Sequence, residues 1–267
     1  MAMGAVVMLA QSWPADSINP LSLAEDASRV IPGQPSLSQT LNVVVLLTVL
    51  ALAPAILVLC TCFTRIVVVL GLLRQGLGVQ SLPPSQTIVG LSVLLTFVVM
   101  TPTAQRMWDE GLGPWVRGTQ PSQQLAWERA RQPLRDFMFA QIDATGNWDS
   151  VTMMLRHRGV DTSDPSKLSR ADVDMLSLVP AFVISELKTA FLIGFRIYLP
   201  FLVIDLVVSS LLVSMGMMML PPILVSLPLK LLLFVMADGW QLVVGSLLSG
   251  YAPPEAVAMA TAPGWLC

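Results

Sequence analysis

Ser214-Met215-Gly216-Met217-Met218-Met219-Leu220-Pro221-Pro222 lies between two long apolar segments and decides how the chain folds back on itself. Gly216 permits backbone angles that other residues resist. Pro221 and Pro222 cannot continue a helix arriving from upstream, and each drives the residue before it out of helical geometry. The stretch therefore predicts a turn formed by Gly216, Pro221 and Pro222, with methionines at its tip. Consecutive residues on a regular element cannot all face one way, but on a loop they can splay into a shared space. Methionine is unbranched and polarizable and fills irregular gaps without fixing a shape. Two readings follow from the residues alone: a gap-filler between helices, or a soft, deformable closure.

Outward from this turn the composition is that of a membrane protein, or of one buried in a large hydrophobic assembly. The 267 residues are 54% hydrophobic and 12% charged, with a mean hydropathy of +0.71. Soluble domains carry about 25% charged residues. A net charge of −2 offers no basic face to nucleic acid. One histidine, His157, and three cysteines leave little for metal or nucleophile chemistry. Cys60 and Cys62 sit in an apolar run far from Cys267, the pattern of small buried hydrophobes. No phosphate loop, triad or zinc pattern occurs, so the sequence reads as non-enzymatic and without a cofactor.

The apolar runs predict an all-α fold. Residues 1–40 form a tail or degenerate signal, with an apolar stretch at Ala5–Ala10 and a loop rich in Ser, Pro and Asp after it. Leu41–Leu73 is too long for one straight span and reads as a long helix interrupted at Pro54 and Arg65. Arg65 is either paired in apolar surroundings or snorkels at a span end. Arg74 to Pro84 is a glycine- and proline-marked connection. Ile88–Met100, ended by Pro102, completes a first hairpin over 41–104. Residues 105–175 carry nine of the fifteen Lys and Arg and ten of the seventeen acidic residues, and read as a solvated helical domain. Leu134, Phe137, Met138 and Ile142 recur there at helical spacing, and Ser169 with Asp172 resembles a capping box. A second hairpin over 176–250 contains the methionine turn, and a tail covers 251–267.

The second hairpin also carries Glu186, Lys188, Arg196, Asp205, Lys230 and Asp238, too many ions for lipid-facing helices. Glu186 and Lys188 are about 200° apart on a helix, and Lys230 and Asp238 about 12 Å apart along one. Neither pair can meet, so each charge needs a partner on another helix or another chain. Arg65, Glu186, Lys188, Asp205, Lys230 and Asp238 are the candidate inter-subunit charges, with each copy offering an acid on one side and a base on the other.

Several motifs resemble the flagellar biosynthetic protein FliP family. They are Ala53-Pro54-Ala55-Ile56 with Phe63-Thr64-Arg65-Ile66, Leu72-Leu73-Arg74-Gln75, Pro83-Pro84, and Pro133-Leu134-Arg135-Asp136-Phe137-Met138. The longest is Pro180-Ala181-Phe182-Val183-Ile184-Ser185-Glu186-Leu187-Lys188-Thr189-Ala190-Phe191, running on to Leu199–Val207. The methionine turn and the stretch from Pro228-Leu229-Lys230 to Asp238-Gly239-Trp240 complete the set, so the likeness spans about 41–250. It implies a multi-pass inner-membrane subunit of the flagellar basal body. In such a gate several copies form a ring or helical oligomer with FliQ and FliR, in contact with other export-apparatus proteins and membrane lipid. Unfolded rod, hook and filament subunits pass through the centre. Long kinked hairpins, an inserted periplasmic domain and a cytoplasmic Arg74 connection are further implications. Met217, Met218 and Met219, with Met215, would be the gasket that narrows the channel. Virulence injectisome export gates share much of this pattern. A small-solute secondary transporter and a membrane scaffold without a conduit are the readings from other classes.

Overall fold

The computed structural model describes residues 44, 47–48, 51, 58–79, 83–119, 122–160, 162, 169–217 and 220–251, with Gln123 and Asp172 described by backbone alone. Residues 1–40 and 252–267, Pro54, Met218 and Met219 therefore lie outside the described residues. Within them the chain is all helical, with no strand. Two helical stretches, Ser85–Val116 and Met175–Ser214, are long and apolar enough to cross a membrane, and a bent pair after the turn makes a third.

Helix α1 (Phe63–Leu77) follows a helical turn at 58–60, from which it is separated by a break at Thr61 and Cys62. Arg65 was expected to interrupt this segment; instead it lies inside α1 without disturbing it. Arg74 falls in its last turn, where a cation complements the helix dipole. Helix α2 (Ser85–Arg106) runs through Pro102, contrary to the expectation that this residue ends it. Pro102 removes one ladder bond, the one to Val98 O, and the helix runs on across the gap; Thr101 Oγ1 donates to the neighbouring Phe97 O, and Thr96 and Ser92 bond back one turn in the same way. Apolar helices accommodate proline when such local bonds adjust the backbone. The helix continues through a π-helical segment (Met107–Leu112) into the short α3 (Gly113–Val116).

The charged segment contributes α4 (Gln123–Thr145) and α5 (Trp148–His157). Ser122 Oγ caps α4 by accepting from Leu125 N–H. The expected amphipathic face is present: Phe137, Met138 and Ile142 are buried. They do not form a separate core. Phe137 meets Phe182 edge-on at 6.1 Å, and Val151 and Leu155 share the same cluster with Leu178. The segment is thus docked on the start of the longest helix.

That helix, α6 (Met175–Ser214), has 40 residues and retains both Pro180 and Pro200. At 1.5 Å per residue it is about 60 Å long, twice the apolar thickness of a bilayer. Its cap is Asp174, whose carboxylate accepts from Ser177 N–H at 3.2 Å. The expected Ser169–Asp172 box is not the start. Ser169 Oγ accepts from Ala171 N–H, and residues 170–172 form a single 3-10 turn.

After the methionine turn, α7 (Pro222–Met236) returns against α6, and α8 (Gly239–Ser249) departs from it at 63°. The break is at Asp238, the one non-glycine residue with positive φ among the described residues. Helices α1 and α6 run parallel, with Arg65 beside Glu186, Leu72 beside Gly194 and Gly76 beside Tyr198 and Phe201. Gly194 allows this approach, since a Cβ there would lie 2.2 Å from Leu72 Cδ1. Small residues at helix contacts serve the same purpose throughout membrane proteins.

Candidate functional site

The turn is built as its residues suggest. Helix α6 ends in a Schellman motif: Met217 N–H donates to Leu212 O and Gly216 N–H to Val213 O, both at 3.0 Å. Gly216 is the left-handed residue this motif requires, at φ 75°. Pro221 is extended and Pro222 opens α7, where a missing N–H costs nothing. Met215 is 70% exposed and Met217 40%, so these two methionines do not pack into this chain's own core. The flanking helices are equally bare: Leu211, Val213, Leu220, Ile223 and Leu224 are all exposed. An apolar hairpin tip ending in thioethers is therefore presented outward.

Two buried polar clusters hold the helices behind this tip. In the first, Arg65 and Glu186 form an ion pair with both side chains fully buried. Arg65 Nη1 also donates to Gly250 O at 2.9 Å, and its guanidinium lies 4.3 Å from the centre of the Tyr251 ring. Tyr251 Oη donates to Cys62 O at 3.2 Å. One cation thus ties α1 to α6 and to the end of α8. In the second, Lys230 Nζ donates to Gly76 O at 3.1 Å and to Asp205 Oδ2 at 2.6 Å, and Ser226 Oγ donates to Asp205 Oδ1 at 2.6 Å. The lysine joins α7 and α6 to the carbonyl end of α1, where a cation also meets the helix dipole.

These contacts correct the expectation for four charges. Arg65, Glu186, Asp205 and Lys230 find ion-pair partners inside the chain, on other helices. Burial also removes the snorkelling reading of Arg65. Lys188 and Asp238 are different: both are exposed, and neither has an ion-pair partner among the described residues. Lys188 borders an apolar groove of about 660 Å³ between α1 and α6, with Leu72, Gln75, Phe191 and Phe195 among its walls. Cys60 and Cys62 are buried free thiols, as their surroundings suggested, and no cluster of potential metal ligands occurs among the described residues.

Sequence reasoning missed several members of these clusters. Tyr251 was assigned to the tail, yet it is buried against Arg65. Ser226 and the carbonyl of Gly76 carry no signal in sequence, because their role comes from the register of packed helices. A third cluster was also missed. Asn147 Nδ2 donates to Ser185 Oγ at 3.0 Å and to Thr189 Oγ1 at 3.4 Å, and Thr145 shares a hydrogen bond with Ser185. It fastens the connection between α4 and α5 to α6, one residue from Glu186.

The sequence profile of the FliP family matches residues 46–247, a range that holds both charge clusters except Gly250 and Tyr251, and the whole turn. The chain is 45% identical to the flagellar biosynthetic protein FliP of Bacillus subtilis over 216 residues, covering 81% of this chain and 94% of that protein. It is 46% identical to the protein of the same name from Caulobacter vibrioides, covering 80% of this chain and 77% of the relative. For that of Pectobacterium carotovorum the identity is 45%, covering 82% and 81%. With three-quarters of its length matched by the profile, and relatives at this identity along most of the chain, this protein belongs to the FliP family.

Proposed function

We propose that the turn from Met215 to Leu220 is the seal of a protein-conducting channel, closed by several copies of this chain in the flagellar type III export gate that the family serves. The observation that carries this reading is the turn itself: a glycine-set, proline-bounded loop that presents methionines outward at the tip of an exposed apolar hairpin. A gap-filling methionine would be covered by its own fold, and Met215 and Met217 are not. Apolar thioethers exclude water and ions by dewetting a constriction. They also repack around an unfolded chain of any sequence, because they impose no fixed hydrogen bonds. Met218 and Met219, outside the described residues, complete the ring of side chains in this reading.

The rest of the architecture fits a subunit of such a gate. A helix of about 60 Å is too long to lie within a bilayer, which suits an assembly raised partly out of it. The charged segment on the start of α6 would face the periplasm and the connection after Arg74 the cytoplasm. FliQ, FliR and other export-apparatus proteins would be the partners, and unfolded rod, hook and filament subunits the cargo. Lys188 and Asp238, without an ion-pair partner among the described residues, remain candidates for contacts between subunits.

The test is to co-express the full-length chain with its gate partners, extract the complex in detergent and image it. A hollow particle with several copies of this chain around the methionine turns is the expected result. A single copy whose methionines pack inside its own fold, with no passage beside them, refutes the reading.

A further inference from the structure

Helix α7 contains a gap in its own ladder. Pro228 has no N–H to donate to Leu224 O, and its ring crowds that carbonyl. The stretch before it, residues 222–227, is less than two turns of helix. Helices shorter than about 12 residues are marginal by themselves. This short stretch is also the strut that carries the methionine turn on its downstream side. Leu224 and Val225 within it are exposed, as are Leu211 and Val213 at the end of α6.

One side chain spans the gap. Asp205 Oδ1 accepts from Ser226 Oγ at 2.6 Å, and Asp205 Oδ2 accepts from Lys230 Nζ at 2.6 Å. Ser226 and Lys230 are four residues apart, on one face of α7, and both are buried. Pro228 falls midway, about 200° around the helix from each, and is exposed. One carboxylate on α6 thus grips α7 on both sides of its break, on the face opposite the proline. Lys230 is also held by Gly76 O at 3.1 Å, so the side of the gap away from the turn is tied to α1, and the side toward the turn is tied through Ser226. The Arg65–Glu186 pair lies about 28 Å from Asp205 along α6 and cannot replace this link.

The displacement at stake is large on the scale of packing. From Pro228 back to Pro222 is about 9 Å of helix, and sharp proline kinks exceed about 20°. A swing of that angle moves the start of α7 by about 3 Å. A radial gap of about 0.5–1 Å already forfeits a quarter to a half of a packing contact.

We propose that Asp205 is a positioning residue for the methionine seal: it braces α7 across Pro228 and so holds the turn where the seal forms. This rests on the reading above that the turn closes a channel, while the brace itself is measurable apart from it.

The test reads two quantities in the full-length chain co-expressed with its gate partners: amide deuterium exchange in the detergent-extracted gate, and ion leak in the expressing cells. Asp205→Ala raises exchange at Ser226 and Leu227 by about tenfold. Ser226→Ala, which keeps the ion pair and disturbs the fold least, raises it too. Both variants let ions through where the wild-type gate is tight. In Asp205→Ala/Pro228→Ala, position 228 regains an N–H and the ladder closes by itself, so exchange and leak return to within about twofold of the wild type. A general loss of packing around Asp205 would not be repaired at Pro228. Wild-type exchange in either single variant, or a double variant no better than Asp205→Ala, overturns the brace and leaves the channel reading standing. Raised exchange without leak, where replacing the four methionines by glycine does cause leak, overturns the link from brace to seal. If replacing the methionines causes no leak, the channel reading falls and the positioning role falls with it.

Discussion

Replacing Glu186 by leucine isolates the energetics of the buried pair. The variant leaves the Arg65 guanidinium at 0% exposure, with the Gly250 carbonyl and the Tyr251 ring as its remaining partners. Arginine does not shed its proton, so the charge stays. Removing one member of a buried pair costs about 3–5 kcal/mol, because the other is left uncompensated. For a chain of this size each kcal/mol shifts the melting temperature by roughly 2–4 °C, so a drop on the order of 10 °C is expected. The assay is helical circular dichroism of detergent-extracted protein during heating. The companion variant Arg65→Met/Glu186→Leu removes both charges and fills the space with apolar atoms. It recovers most of the loss, since replacing a whole buried pair by apolar side chains is often neutral. A double variant as unstable as the sum of its singles, or a Glu186→Leu protein that melts like the wild type, refutes the reasoning.

Gly194→Ala forces a Cβ to within 2.2 Å of Leu72 Cδ1 and 3.1 Å of Leu72 Cβ; overpacking of this kind costs about 1–3 kcal/mol, measured in the same melts, and a neutral result would refute tight packing of Leu72 on this glycine. Lys230→Met removes the link from α7 to Gly76 O and Asp205; because Asp205 is 40% exposed and screened by solvent, the loss is about 1–2 kcal/mol, and the check is faster deuterium exchange at the end of α1. The cap of α6 has a pH signature. Burial pushes the Asp174 carboxyl up, but hydrogen bonds from Ser177 and Arg158 outweigh this and hold it below the ordinary carboxylate range. Its contribution is thus present above about pH 4 and is lost as pH falls through the depressed value. Asp174→Asn retains a capping oxygen and flattens that acid-side loss in melts taken from pH 6 to 3.

The helices and the methionine turn were legible because their signals are local. Glycine before a proline pair set the turn at Gly216 and Pro221, and a period of 3.6 set the buried face of Phe137, Met138 and Ile142. Proline misled because a helix held by its neighbours survives the loss of one ladder bond, as α2 does at Pro102. The α6 cap was misplaced because Ser169 and Asp174 are both good capping residues, and the packing of Val173 and Leu178 into the core decides between them. Partners of the buried charges were not legible in any local pattern. Arg65 and Glu186 are 121 residues apart, and only the parallel pairing of α1 with α6 brings them together. A chain with few helices invites the inference that its ions are met by neighbours; here the helices pack closely enough to pair four of them from within.

The central claim is that the methionine turn closes a channel, and ion leak tests it most directly. Replacing Met215, Met217, Met218 and Met219 by glycine removes the thioethers while leaving both buried charge clusters intact. Cells expressing the gate with this variant are predicted to assemble normal particles and to lose their resistance to ion leakage across the membrane, where the wild-type gate holds it. Particles assembled in wild-type amounts that remain as tight as the wild type would contradict the account.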